Sequence, residues 1–193
     1  IRMPRLIIGL LVGGALALAG AVMQGVFSNP LADPGIMGVS AGASLGAVIA
    51  IALGFTSLGM FYMPAFAFVG AFVSVGITIL LTLRNNKLDT TTLLLAGVAV
   101  SMLLGAFSSG ILTMINEYRL REFLFWMVGG LDFRRWDHVL LAVGPIMTGS
   151  VILMMLGRHL NVLVLGDTEA RALGVPVMVY RMLFLFLSSV ITA

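Results

Sequence analysis

The chain has no cysteine, which removes disulfides, thiolate metal sites and thiol redox chemistry from consideration. Charge is almost as scarce. Only 10% of the 193 residues are Asp, Glu, Lys or Arg, where a soluble domain carries roughly a quarter. The 11 basic and 8 acidic residues leave a net charge of +3, and without a basic run no nucleic-acid partner is expected. There is no phosphate-binding glycine loop with its lysine, so ATP hydrolysis is not expected from this chain. No catalytic constellation, cofactor motif or metal-ligand set stands out. What remains is apolar: 60% of residues are hydrophobic and the mean hydropathy is +1.13. The composition implies an all-α, polytopic membrane helix bundle.

The pattern of apolar runs divides the chain. Ile7–Phe27 is interrupted only by Gln24 and reads as a first span. No charged residue occurs between Asp33 and Arg84, and that stretch must hold two spans. "FTSLGMFYMP" (Phe55–Pro64) divides it through Gly59 and Pro64, giving spans over 36–54 and 65–83. "RNNKLD" (Arg84–Asp89) is a polar loop. Thr92–Ile115 and Val139–Leu156 are the fourth and fifth spans, and a sixth begins near Met182. Between them Asn116–Asp137 mixes charges with Trp126 and Trp136, as an interfacial helix does. The chain begins on Ile1 without a signal-peptide start, and Met182–Ala193 is too short for about 30 Å of hydrocarbon. The sequence therefore reads as a fragment cut inside its last span.

Two polar interruptions carry more detail. In "SNPLADPGIMGVSAGASLG" (Ser28–Gly46), Asn29 is forced out of the α region by Pro30 and ends the first span. Asp33 is placed to cap the next helix, with Pro34 at its first position. In Arg158–Arg181, Asp167 is the expected N-cap of a short helix over Thr168–Leu173, closed by Gly174 and stopped by Pro176. A helix that short cannot cross a bilayer and must sit outside it.

Small residues form ladders at Gly38, Gly42 and Gly46, at Gly97, Ser101, Gly105 and Ser109, and at Gly9 and Gly13. Such ladders let helix backbones approach closely in lipid. All acidic and basic residues fall outside the spans, and His138 and His159 sit at span ends, which argues against a proton relay. Gln24 is expected to bond a neighbouring helix. Charge does not set the orientation. Arg2, Arg5, Arg119, Arg121, Arg134 and Arg135 lie on one side, against Arg84, Lys87, Arg158, Arg171 and Arg181 on the other.

Four stretches in order carry a family resemblance. "RMPRLIIGLLVGGALALAGAVMQGVFSNPLADPGIMGVSAGASLG", "LLLAGVAVS" (Leu93–Ser101), "FWMVGGL" (Phe125–Leu131) and "LGDTEARALGVP" (Leu165–Pro176) resemble the FecCD-like permeases of iron-siderophore, haem and vitamin B12 importers. These are the membrane subunits of type II ATP-binding-cassette (ABC) importers. The resemblance implies a partial type II importer permease fold, covering about the second helix to the start of the seventh. It implies one transmembrane permease domain over 1–193, truncated at both ends, with a cytoplasmic coupling segment at 164–176. It further implies a homodimer with a second permease copy, two cytoplasmic ATPase subunits, an extracytoplasmic substrate-binding protein, and a multi-pass place in a bacterial cytoplasmic membrane.

By the same resemblance, Asn29, Leu31, Thr90 and Thr91 match positions that narrow the cytoplasmic mouth. Arg2 and Arg5 match arginines that receive glutamates of the binding protein, although the residues alone favour interfacial snorkelling. Gly166, Asp167, Glu169, Ala170, Arg171, Leu173 and Gly174 match the segment that docks into the ATPase. The threonines, taken alone, also suit a polar hairpin tip. An ion-coupled secondary carrier or a structural membrane anchor are the competing functions. Nothing in the sequence chooses among siderophore, haem and cobalamin.

Overall fold

The computed structural model describes residues 2–83, 89–132 and 134–193. Nine α-helices occur among them: α1 (Arg2–Phe27), α2 (Val39–Ala52), α3 (Tyr62–Thr82), α4 (Thr90–Leu112), α5 (Glu117–Val128), α6 (Trp136–Met155), α7 (Gly157–Val164), α8 (Asp167–Ala172) and α9 (Val177–Thr192). Two 3-10 helices, Pro34–Met37 and Phe55–Leu58, lie on either side of α2. No strand occurs among the described residues. Helices α1, α3, α4 and α6 are long and apolar enough to cross a membrane, while α2 and α9 are apolar but shorter. Residues 84–88 of the expected polar loop lie outside the described residues.

The chain separates into two compact units, one holding residues 1–34, 84–90 and 131–192, the other 35–83 and 91–130. In the first, α1 packs against α6, α7 and α9. Its inward stripe is Ala15, Ala19, Val22, Met23 and Val26, and α9 contributes Phe184 and Leu185 to the buried set. The i, i+4, i+7 spacing of these positions gives one apolar face per helix.

In the second unit α2 lies on α3 with main chains nearly touching. A Cβ at Gly42 would meet the Gly70 carbonyl, one at Gly70 would meet the Gly42 carbonyl, and one at Gly46 would meet that of Phe66. Gly97 of α4 seats in the same way on the backbone of Ile36 and Met37. The glycine ladders thus serve close helix approach at Gly42, Gly46 and Gly97, whereas nothing lies within 4 Å of where a Cβ would stand at Gly13 or Gly105. Val48 and Ile51 of α2 and Phe123 of α5 form a small core with Met63, Ile111 and Leu112.

Three expectations about the elements need correction. The second span is not one helix. Pro34–Met37 is 3-10, Gly38 breaks the path at φ 81°, and α2 restarts with Gly38 as its N-cap and no side-chain cap bond. Only the left-handed backbone at Gly38 makes this turn, and glycine adopts it without strain. The last helix starts at Val177 rather than near Met182, which brings Arg181 inside a helix instead of leaving it in a loop. Gln24 is exposed, and its side chain joins no neighbouring helix among the described residues. Asn116 caps α5 by accepting the Arg119 N–H at 3.0 Å. Arg119 in turn donates to the Ala52 carbonyl at 2.6 Å, holding the end of α2.

Candidate functional site

Apart from Thr90 and Thr91 at the start of α4, the residues singled out in the sequence fall into three places, and α1 carries two of them. Arg2 and Arg5 stand at one end of α1 and Asn29 and Leu31 just past the other. At 1.5 Å per residue the 26 residues of α1 span roughly 39 Å, so these groups lie a bilayer apart.

At the first end, Arg2 and Arg5 share a helix face by their spacing of three. Arg2 is exposed. Arg5 is partly covered and pairs with Asp132 at 3.5 Å. Leu131 rests beside Gly9 at 3.4 Å from where a Cβ would stand, so the 131–132 turn is packed on α1. Asp132 was not foreseen. It lies far along the chain from Arg5, and no local pattern signals the pairing.

At the other end, α1 closes with two backbone bonds. The Asn29 N–H donates to the Gln24 carbonyl at 3.1 Å and the Ser28 N–H to the Gly25 carbonyl at 3.3 Å. This is the closure that usually carries glycine, yet here Ser28 takes the left-handed position at φ 47°. Beyond it, the Asn29 side chain accepts the Leu31 N–H at 2.9 Å, and the Asn29 carbonyl accepts the Ala32 N–H at 3.1 Å. Asn29 therefore shapes the turn, and Leu31 is its tip, 84% exposed. Of the threonines, Thr90 opens α4 half-buried and Thr91 is exposed.

The third place is α8 and its flanks. Gly166, at φ 119°, is the N-cap and no side chain caps the helix, so Asp167 is the first helical residue and not the cap. Its carboxylate is turned elsewhere. Arg181 donates to it through both terminal nitrogens, at 2.7 and 3.3 Å, and Arg171 stands at 3.9 Å. The closing end matches expectation. The Val175 N–H donates to the Ala170 carbonyl and the Gly174 N–H to that of Arg171, each at 3.0 Å, with Gly174 left-handed at φ 79°. This is the Schellman closure. Ala170 is fully buried, whereas Leu173 is 64% exposed. The outward surface of the segment is therefore Thr168, Glu169, Arg171, Ala172, Leu173 and Gly174.

Helix α7 precedes α8 and was not expected from the sequence, because its apolar residues are broken by Arg158, His159 and Asn161. His159 of α7 stacks on Tyr180 of α9 at 4.0 Å. Leu160 of α7 lies against Gly25 of α1, 3.0 Å from the place of a Cβ. The signal for the Arg181 pairing was present but long-range: Asp167 and Arg181 are separated by a helix, a Gly174–Pro176 turn and the start of another helix.

Gly174 yields a direct prediction. Nothing lies within 4 Å of where its Cβ would stand, so Gly174→Ala meets only backbone strain. The expected loss is about 1–2 kcal/mol, confined to α8. Hydrogen exchange should show faster exchange at Ala170–Val175 with α1 and α6 unchanged, and unaltered exchange there would refute the assigned closure.

The family model of the FecCD transport family matches residues 1–193. The cobalamin import system permease protein of Halobacterium salinarum is 42% identical over 194 residues, covering 100% of this chain and 52% of the relative. The vitamin B12 import system permease protein of Salmonella paratyphi A is 39% identical over 183 residues, covering 94% and 55%. An uncharacterized ABC transporter permease of Bacillus subtilis is 36% identical over 195 residues, covering 100% and 55%. The chain thus spans about half the length of the curated relatives it matches. A solved structure described as a metal-chelate type ABC transporter in an inward-facing conformation superposes with a TM-score of 0.90 at 33% identity, covering 99% of this chain and 61% of that one.

Proposed function

The chain belongs to the FecCD transport family, and from that premise we propose that it forms part of the membrane permease of a type II ABC importer, powered by separate ATPase subunits. The observation that carries this reading is α8: a short helix, closed at its C-terminal end, exposing Leu173 beside Glu169 and Arg171, in a chain without a phosphate-binding loop of its own. A helix this brief is not stable in water by itself, and a soluble partner pressed against it gives the exposed leucine a place.

The proposed cargo is a large metal chelate of the cobalamin type. Its support is the identity to the two permeases described as importing cobalamin and vitamin B12. A second permease copy, two cytoplasmic ATPases and an extracytoplasmic binding protein complete the assembly, in the cytoplasmic membrane of a bacterium. Asn29, Leu31, Thr90 and Thr91 narrow its inner mouth, with the rigid Asx turn holding Leu31 forward. Arg2 and Arg5 receive carboxylates of the binding protein.

The test is uptake into proteoliposomes by the full-length permease, its ATPase and its binding protein. Cyanocobalamin, haem and a ferric hydroxamate siderophore are offered separately. ATP-dependent uptake of cyanocobalamin is expected. Uptake driven by an ion gradient without the ATPase would establish a secondary carrier instead.

The docking end adds a finer prediction. Asp132 already engages Arg5 and competes with an arriving carboxylate. Asp132→Asn should strengthen binding-protein docking at low salt, by no more than about fivefold, since an exposed pair is worth up to about 1 kcal/mol. The gain should fade as salt rises. Weaker docking in this variant, measured by surface plasmon resonance, would assign Asp132 to the docking surface itself.

A further inference from the structure

The function of the coupling segment depends on what fastens it to the membrane helices. Helix α8 has no side-chain cap at its N-terminus, and its first carboxylate is spent on a residue of another helix. Arg181 is 5% exposed and offers Asp167 a forked, two-bond contact, the geometry in which arginine fixes orientation as well as distance. Only the arginine is buried, the Asp167 side chain being 43% exposed, so the contact adds little net stability and its value is in fixing where α8 sits on α9. Two further contacts extend the same body. The His159–Tyr180 stack joins α7 to α9, and Leu160 of α7 reaches Gly25 of α1, one turn before the turn that presents Leu31.

We propose that the Asp167–Arg181 pair is a latch that makes α8 and α9 move as one body, so that a displacement of α8 is delivered through α7 and Leu160 to the Leu31 turn. Asp167 and Arg181 are positioning residues: they act through α9 and α7 and touch no cargo. The proposal rests on the reading of α8 as the ATPase contact. Without the latch, α8 would still be folded by its Ala170 burial and its Gly174 closure, and could still bind a partner. Its motion would then be taken up at the Gly174–Pro176 turn instead of reaching α9.

The experiment uses the full-length permease assembled with its ATPase in liposomes, freed of any cysteine outside this segment and carrying Leu31→Cys as the probe. The described segment has no cysteine of its own. Maleimide labelling of the probe is timed without nucleotide and in the vanadate-trapped ATP state. With the native pair, trapping should change the labelling rate at least fivefold. In Arg181→Met, which leaves the half-exposed Asp167 carboxylate in reach of water and of Arg171, ATPase co-purification and hydrolysis should persist while the labelling rate no longer responds to nucleotide. Arg181→Lys, which keeps a charged contact without the fork, should restore part of the response. A native-sized response in Arg181→Met overturns the latch, as does an Arg181→Lys protein that assembles and hydrolyses ATP yet restores nothing. Failure of the underlying reading is visible separately: Leu173→Asp would then retain the ATPase at native stoichiometry.

Discussion

Replacing Gly46 with valine is expected to remove the folded protein from the membrane fraction. A Cβ at this position would fall on the Phe66 carbonyl oxygen, with the Phe66 carbonyl carbon at 2.7 Å and the Ala67 Cα at 3.1 Å. These are main-chain atoms of α3, so no rotamer change can relieve the collision. The only relief is for α2 to retreat. That movement also opens the Gly42–Gly70 contact and stretches the Ser74 to Gly38 bond of 2.8 Å. Overpacking a core usually costs about 1–3 kcal/mol, and an obstacle made of backbone belongs at or above the top of that range. Gly76→Ala, on α3 with nothing within 4 Å, is the matched control and should express normally. Detergent extraction followed by size-exclusion chromatography reads the difference. A monodisperse Gly46→Val protein with native thermal stability would refute the close approach of α2 and α3.

The second large effect is expected at Leu173. An aspartate there would be desolvated without a partner if the proposed ATPase covers the segment, and unpaired buried charge is strongly unfavourable. The loss should reach about 2 kcal/mol, roughly thirtyfold in affinity, enough for the ATPase to be lost on co-purification and for transport to stop. Ala170→Asp should give the same loss of transport for a different reason. Ala170 is buried against its own unit, so the carboxylate would unseat α8 itself. Hydrogen exchange separates the two: α8 stays protected in Leu173→Asp and loses protection in Ala170→Asp. An ATPase that co-purifies with Leu173→Asp as it does with the native permease would end the assignment.

The parts of the fold that were legible in the sequence are those governed by local chemistry. The apolar runs place α1, α3, α4 and α6 to within a few residues. Gly174 and Pro176 mark the end of α8 correctly, because a left-handed cap followed by proline has few alternatives. Reading failed where a local preference met a stronger distant partner. Asp167 has the right chemistry for a cap, yet Arg181 takes its carboxylate and Gly166 takes the cap position. Asp33 and Pro34 suit a helix start, yet the chain there becomes 3-10, and a Cβ at Gly97 would meet the Ile36 backbone. The turn after α1 shows the same division. Asn29 and Leu31 were recognisable as a pair, but their division into a turn-former and an exposed tip required the Asx hydrogen bond.

The 3-10 turn and the short α2 bear on how the protein is made. At 14 residues, α2 covers roughly 21 Å, less than the about 30 Å of hydrocarbon it must help to fill. At its N-terminal edge the Gly38 carbonyl accepts both the Gly42 N–H and the Ser74 hydroxyl of α3, each at 2.8 Å, and the Met37 carbonyl accepts the Thr78 hydroxyl of α3 at 3.3 Å. Bare carbonyls are not tolerated in lipid, so this stretch is acceptable to the bilayer only once α3 stands beside it. Release from the translocon one helix at a time would strand it. The expected consequence is that residues 34–52 settle in the lipid together with α3 rather than before it.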